Sequence, residues 1–184
     1  MEAWLIEAID GATEEVLVAV QELSLPRIAQ ALIAAKQRGV LVQVILENNY
    51  SPAWSEQRPS RLNQRERQRW HQLNQLADRD GDGTTSPEEA FQGDAVALVK
   101  AAQIPLLDDT EDGSSGSGLM HHKFLVIDQT SVITGSANPT SSGLHGDAGK
   151  PSSRWIKPLK ASAPRASPAA TNCITSSPRS TTAQ

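Results

Sequence analysis

At 184 residues the chain has room for one domain of ordinary size with a small insertion, and none for a multidomain enzyme. Its 17 Lys and Arg against 21 Asp and Glu give a formal charge of −4, and 38 % of its residues are hydrophobic, the balance of a soluble globular chain. No apolar run approaches the roughly 18 residues needed to cross a bilayer. The opening Met1-Glu2-Ala3-Trp4 lacks the pattern of a secretory signal, and the lone Cys173 excludes an internal disulfide or a one-chain thiolate metal cluster.

Leu5, Ile6, Ile9 and Ala12 recur at helical spacing, so the chain opens in a short helix. The segment Glu15 to Leu23 holds the apolar run Val16 to Val20, suited to a buried strand. Pro26 fits the first turn of a helix whose apolar face is Ile28, Ala31, Leu32 and Ala35, with Gly39 as its left-handed terminator. Val40 to Leu46 is a second strand. Strand, helix, strand with short joins predicts a parallel pair and an α/β layer.

Residues 51–60 read as loop, followed by a polar helix from Arg61 to Ala77 with Leu62, Trp70, Leu73 and Leu76 along one stripe. Asp94 caps a helix running to Ala102, with Val96, Leu98 and Val99 turned partly inward. A short strand over Ile104 to Leu107, an exposed Gly- and Ser-rich loop to Gly118, and strands over Met120 to Ile127 and Ser131 to Gly135 complete the ordered part. From Lys150 onward there are six basic residues and no acid, so the chain before it carries a formal −10. This Pro-, Ser-, Thr- and Ala-rich end, 150–184, reads as a disordered basic tail. Arg58, Arg61, Arg65, Arg67 and Arg69 form a second basic run, interleaved with Glu66 and read as a solvated face.

The segment Met120 to Gly143 contains H-x-K-x4-D-x6-G-S-x-N, filled by His121, Lys123, Asp128, Gly135, Ser136 and Asn138. His121 and Lys123, two apart on a strand, leave the same face. A hairpin turning at Gln129-Thr130 sets His121 opposite Asn138 and Lys123 opposite Ser136. Such a face suits phosphorus chemistry: an imidazole can attack phosphorus while an ammonium, a hydroxyl and an amide hold its non-bridging oxygens. His122 is then a structural neighbour on the other face, and His71 and His145 are peripheral.

This hairpin resembles the HKD signature of the phospholipase D superfamily, and the opening helix, EVLVAVQEL and AAKQRGVLVQVILEN resemble the first half of such enzymes. The resemblance spans residues 5 to 147. It implies an α/β fold with a mixed, mainly parallel sheet flanked by helices, over residues 1–149. It also implies phosphodiester hydrolysis through a covalent phosphohistidine, without a catalytic metal. His121 is then the nucleophile, Lys123 and Asn138 the phosphate ligands, Ser136 a supporting donor and Asp128 an orienting or structural carboxylate. Members of the family build one site from two HKD motifs and this chain has one, so a homodimer or a missing second half is implied. Pro139 stands where the family usually has an aromatic residue.

Within the segment 51–93, read as an insertion, residues 78–89 fit the EF-hand loop D-x-D-x-D-G-x5-E with Asp78, Asp80, Asp82, Gly83 and Glu89. Thr84 offers its carbonyl and Ser86 its side chain, so a structural Ca²⁺ is expected there. Three functions are open: a phosphodiesterase acting on phospholipid or nucleic acid, a calcium-dependent phosphate- or lipid-binding module, and an inactive fragment. The acidic charge argues for lipid and against a nonspecific nuclease, which needs a basic groove. Localisation stays open, since no signal is visible while a weak Ca²⁺ loop suits an extracytoplasmic setting.

Overall fold

The computed structural model describes residues 1–110, 113 and 118–145 together with the backbone of Trp155–Ile156. In chain order the elements are α1 (Glu2–Asp10), β1 (Glu15–Val20), α2 (Pro26–Gln37), β2 (Leu41–Leu46), α3 (Gln64–Ala77), α4 (Pro87–Gly93) and α5 (Ala95–Ala101). They continue with β3 (Leu106–Asp108), β4 (Lys123–Ile127), β5 (Ser131–Gly135), α6 (Ser141–His145) and β6 (Trp155–Ile156). The expected loop over 51–60 holds two 3₁₀ turns, Trp54–Glu56 and Pro59–Arg61.

The sheet order is β3-β2-β1-β4-β5, with the two-residue β6 on the outer edge of β5. β1 pairs with β2 in parallel, and so does β2 with β3, as the strand–helix–strand pattern requires. β4 runs antiparallel to β1 and to β5. The sheet is therefore mixed but not mainly parallel: the short join between β4 and β5 permits only a hairpin, and β4 enters against β1 from the opposite end. Within the segment Glu15 to Leu23 the strand ends at Val20, and the Gln21 N–H still bonds the His122 carbonyl at the sheet's end.

Alternation along the strands defines the core. Val16, Val18 and Val20 of β1, Val42, Val44 and Leu46 of β2, and Leu125, Ile127 and Ile133 of the hairpin are buried on one face. Leu5 and Ile9 of α1, Leu32 and Ala35 of α2, and Val96 and Val99 of α5 cover that face. The helix ends are tied across elements. Lys36 Nζ donates to the Ala102 and Gln103 carbonyls at 2.7 and 2.6 Å, and Arg38 Nη2 donates to the Ile9 and Asp10 carbonyls at 3.1 Å. Gly39, at φ +90°, ends α2 in the left-handed conformation, as expected.

Asp94 caps α5 through the Val96 and Ala97 N–H groups, and its other oxygen accepts from Ser55 N and Oγ at 2.8 and 2.9 Å. It is 1 % exposed, so this one carboxylate fastens the segment 51–93 to the core. Val96, Leu98 and Val99 are fully buried rather than partly so. The stripe expected on α3 is not buried as a unit. The helix starts at Gln64, where Asn63 and Glu66 form a capping box, and Leu76 is 65 % exposed. Trp70 is the residue that packs, edge-to-face on Trp54 at 6.1 Å, with its Nε1–H donated to the Trp54 carbonyl. Within the expected tail, Trp155–Ile156 pairs antiparallel with β5, whose free edge offers unpaired backbone groups; the rest of 150–184 lies outside the described residues.

Candidate active site

The hairpin register differs by one residue from the sequence expectation. Phe124 faces Thr134, Leu125 faces Ile133 and Ile127 faces Ser131, so the same register continued sets Lys123 against Gly135, not Ser136. The turn decides this. Asp128 and Gln129 both take positive φ, 50° and 53°, and Thr130 N–H closes on the Ile127 carbonyl at 3.1 Å, a primed-type turn one residue earlier than Gln129-Thr130. Aspartate tolerates that conformation because its carboxylate is held by other backbone groups.

Asp128 is accordingly remote from His121. Its carboxylate accepts from the N–H groups of Thr13, Glu14 and Glu15 and from the Thr13 hydroxyl, at 2.8 to 3.1 Å. Desolvation, the largest single influence, raises its pKa, but the Glu14, Glu15 and Thr13 N–H groups and the Thr13 hydroxyl outweigh it and hold the carboxyl below the ordinary value. It pins the hairpin turn to the start of β1, five residues and roughly 16 Å of strand from Lys123.

The other end of β4 brings together the remaining residues of the motif. β4 is antiparallel to β1, so Lys123 lies at the carboxyl end of β1, where open α/β sheets place their ligands. Lys123 is 6 % exposed, and its Nζ donates to Gln21 Oε1 at 3.4 Å and to the His121 carbonyl at 3.0 Å. Asn138 Nδ2 donates to the same Gln21 oxygen at 3.2 Å, while Asn138 Oδ1 accepts the Glu22 N–H at 3.4 Å. Among the described residues no carboxylate pairs with Lys123. Burial lowers its pKa, so its positive form is the one penalised.

His121 precedes β4 and is exposed, and its carbonyl anchors the Lys123 ammonium. Ser136, just past β5, is exposed at the same edge. Pro139, in place of the family's aromatic residue, is buried, and its carbonyl accepts the Ser24 N–H at 3.1 Å. His122 stands on the other face of the strand, edge-on to Phe124 at 5.8 Å. His71 packs against Trp70, and His145 Nε2 lies 2.9 Å from Glu2 Oε2.

Gln21 and Glu22 escaped the sequence reading. Their signal was a polar pair ending the apolar run Val16 to Val20, at the carboxyl end of an α/β strand.

In the segment 78–89, ligand oxygens of Asp78, Asp80 and Asp82 lie within 4.8 Å of one another, an exposed triad of hard donors that could bind a metal ion. The fuller EF-hand loop is not borne out beyond this triad. Glu89 Oε2 accepts from Ser86 N and Oγ at 3.0 and 2.8 Å in a capping box of α4, and Oε1 accepts Arg79 N–H at 3.0 Å. Those bonds, the Ser86 N–H foremost, bring its pKa down to about 2. Thr84 turns its N–H and hydroxyl to Asp82 Oδ1, both at 2.7 Å.

An α/β domain with a buried lysine and an amide gathered on one glutamine at the carboxyl end of its first strand is the class that fold and site define. Residues 5–148 match the family model described as "Cardiolipin synthase, PLD-like domain", and the chain belongs to this phospholipase D-like family. It is 26 % identical over 136 residues to a mitochondrial cardiolipin hydrolase of Xenopus laevis, covering 74 % of this chain and 44 % of that protein. A second, from Xenopus tropicalis, is 27 % identical over 117 residues, covering 64 % and 35 %. The chain thus spans less than half the length of these curated relatives. Among solved structures it is similar to the phospholipase D family member Nuc of Salmonella typhimurium, with TM-score 0.46 and 21 % identity over 76 % of this chain and 65 % of that one. NucT of Helicobacter pylori gives 0.42 and 17 %, covering 76 % and 67 %.

Proposed function

We propose that this chain is one half of a phosphodiesterase that hydrolyses a phosphodiester, a phospholipid in preference to a nucleic acid, through a phosphohistidine. The observation that carries the reading is the buried Lys123 ammonium, held by two neutral oxygens beside the Asn138 amide. A desolvated cation without a carboxylate is a receptor for an anion. An imidazole nitrogen of His121 attacks phosphorus and the bond from phosphorus to the leaving oxygen breaks. The leaving alkoxide takes a proton from a second histidine, supplied by a partner copy or a second half. Water, giving a proton back to the second histidine, then attacks phosphorus; the bond from phosphorus to the His121 nitrogen breaks, releasing the phosphomonoester and restoring both histidines. Lys123 and Asn138 hold the non-bridging oxygens as charge develops, and Ser136 adds a donor. Asp128 serves this site from a distance by fixing the hairpin. Catalysis in this scheme uses no metal ion. The acidic balance before Lys150 and the printed names of the curated relatives support lipid. A nuclease of the same family is the alternative.

Native mass and turnover test the reading together. The expected result is a dimer that cleaves bis(4-nitrophenyl) phosphate and yields an acid-labile phosphoprotein when quenched, with both signals absent in His121→Ala. A monomer that binds phosphate without turnover points instead to the binding-module reading.

The Asp78–Asp80–Asp82 triad supports a second element of the proposal, a structural Ca²⁺ that stiffens the segment 51–93. Alternate carboxylates repel one another without a cation. Calcium should release heat on titration and raise the melting temperature, by about 2.7 kcal/mol of added stability at a hundredfold excess over Kd. Asp80→Asn and Asp82→Asn should lose both responses. Identical heats and melting temperatures in all three proteins refute a calcium site.

A further inference from the structure

The basic run on α3 is not simply a solvated face. Arg69 Nε donates to Glu22 Oε1 at 2.9 Å, and its guanidinium lies over the Tyr50 ring, 5.1 Å from the centroid. With 24 % and 17 % of the two side chains exposed, the ion pair is shielded from the solvent screening that weakens surface pairs. Tyr50 is held in turn, since its N–H bonds the Glu47 carbonyl at 2.8 Å. The Glu47 carboxylate, 1 % exposed, accepts from Asn49 N and Nδ2 at 2.9 and 2.7 Å and so fixes the turn after β2.

Glu22 belongs to the stretch joining β1 to α2, and that stretch touches both arms of the hairpin motif. Gln21 N–H bonds the His122 carbonyl at 2.9 Å, and Ser24 N–H bonds the Pro139 carbonyl at 3.1 Å. Between them, Glu22 N–H bonds Asn138 Oδ1 at 3.4 Å, while Asn138 Nδ2 donates to Gln21 Oε1 at 3.2 Å. A backbone N–H can face only an acceptor, so Glu22 selects which end of the amide points to the main chain. Nδ2 is left as the outward end, with one hydrogen on Gln21 and the second for a ligand. Both of these bonds are longer than the usual 2.9–3.0 Å, so the amide's orientation depends on where the main chain at 21–22 stands. The outer side of that main chain is the Glu22 carboxylate, fastened to Arg69 on a helix of the segment 51–93.

Resting on the proposed phosphodiesterase reading, we infer that Arg69 and Glu22 are positioning residues. Acting through the main chain at 21–22, the pair holds the Asn138 amide with its donor end towards the phosphate. The segment 51–93 thereby enters the reaction through the placement of Asn138 rather than through a substrate contact of its own.

Turnover of bis(4-nitrophenyl) phosphate by the full chain, together with the Asn138 side-chain amide signal in NMR spectra, tests this. Arg69→Met and Glu22→Gln should each lower kcat about tenfold and leave KM within about twofold of the parent. The double variant should fall no further than either single one, and Arg69→Met should cost nothing more in an Asn138→Ala background. The amide signal, assigned by its loss in Asn138→Ala, should move in both single variants. A raised KM at parental kcat in Arg69→Met, with Glu22→Gln kinetically normal, makes Arg69 a substrate ligand and overturns the inference. An amide signal that neither variant moves overturns it too. Absence of turnover in the parent protein overturns the phosphodiesterase reading instead, and the amide signal alone then decides the positioning.

Discussion

Lys123→Met yields a protein that melts no lower than the parent but has lost phosphate binding and phosphodiester turnover by about 10³-fold or more. The two halves of this result share one cause. The Lys123 ammonium is buried at 6 % exposure and, among the described residues, has Gln21 Oε1 and the His121 carbonyl as acceptors and no carboxylate to repay its desolvation. Methionine keeps the volume and removes that cost. The expected change in stability runs from neutral to about 1–2 kcal/mol in favour of the variant. What the charge supplies is attraction for the phosphate, which is felt only when substrate is bound.

The pH dependence follows with a definite sign. Burial moves the Lys123 pKa below its ordinary 10.5, so between the lowered and ordinary values the unfolded chain binds more protons than the folded one. The stability contributed by this group is complete above 10.5 and is lost as pH falls through the lowered value. Phosphate affinity moves the other way and declines as the ammonium titrates. Thermal melts and turnover of bis(4-nitrophenyl) phosphate, measured from neutral to alkaline pH on both proteins, should show an alkaline limb in the parent alone. A Lys123→Met protein with parental turnover contradicts the assignment of the site.

Gly143→Ala carries the second large effect. A methyl group there would lie 2.3 Å from the Asn138 carbonyl oxygen and 2.9 Å from Thr140 Oγ1, both well inside contact distance. Thr140 Oγ1 is also the acceptor of the Gly143 N–H at 3.0 Å, so its withdrawal breaks that hydrogen bond. Either α6 swings outward or the turn at 138–140 shifts and takes Asn138 with it. The expected cost is about 2–3 kcal/mol, or roughly 5–10 °C in melting temperature for a chain of this size. Turnover should fall about 10²-fold, because the amide leaves its position against Gln21. Gly11→Ala is the matched control, since its added methyl meets nothing closer than 3.5 Å and its φ is −77°. An unperturbed melt in Gly143→Ala overturns the packing argument.

The parts of this molecule that local pattern controls were legible in advance. Pro26 and Gly39 bracket α2, the apolar runs of β1 and β2 form a parallel pair, and Asp94 caps α5, each through interactions spanning only a few residues. The family motif also stood in one short stretch, so His121, Lys123 and Asn138 could be named together. Other features were not legible because nothing local encodes them. The α3 stripe misled at Leu76 because periodicity reports a face without reporting whether anything covers it. Glu89 fits the twelfth position of a calcium loop, yet the same residue completes a capping box with Ser86, and sequence spacing does not choose between the two.

By itself, then, the sequence determined the element types, the parallel β1–β2 unit and the chemical groups of the site. The tertiary structure alone decided the hairpin register, the removal of Asp128 to the far end of β4, and the entry of Gln21, Glu22 and Arg69 into the neighbourhood of Lys123. The physical reason is the range of the forces. Helix caps and strand alternation are set within one or two turns of chain. The register depended on a turn with two left-handed residues held by Thr13, Glu14 and Glu15, more than a hundred positions away. The surroundings of Lys123 likewise depended on β4 closing against β1, across a similar separation in the chain.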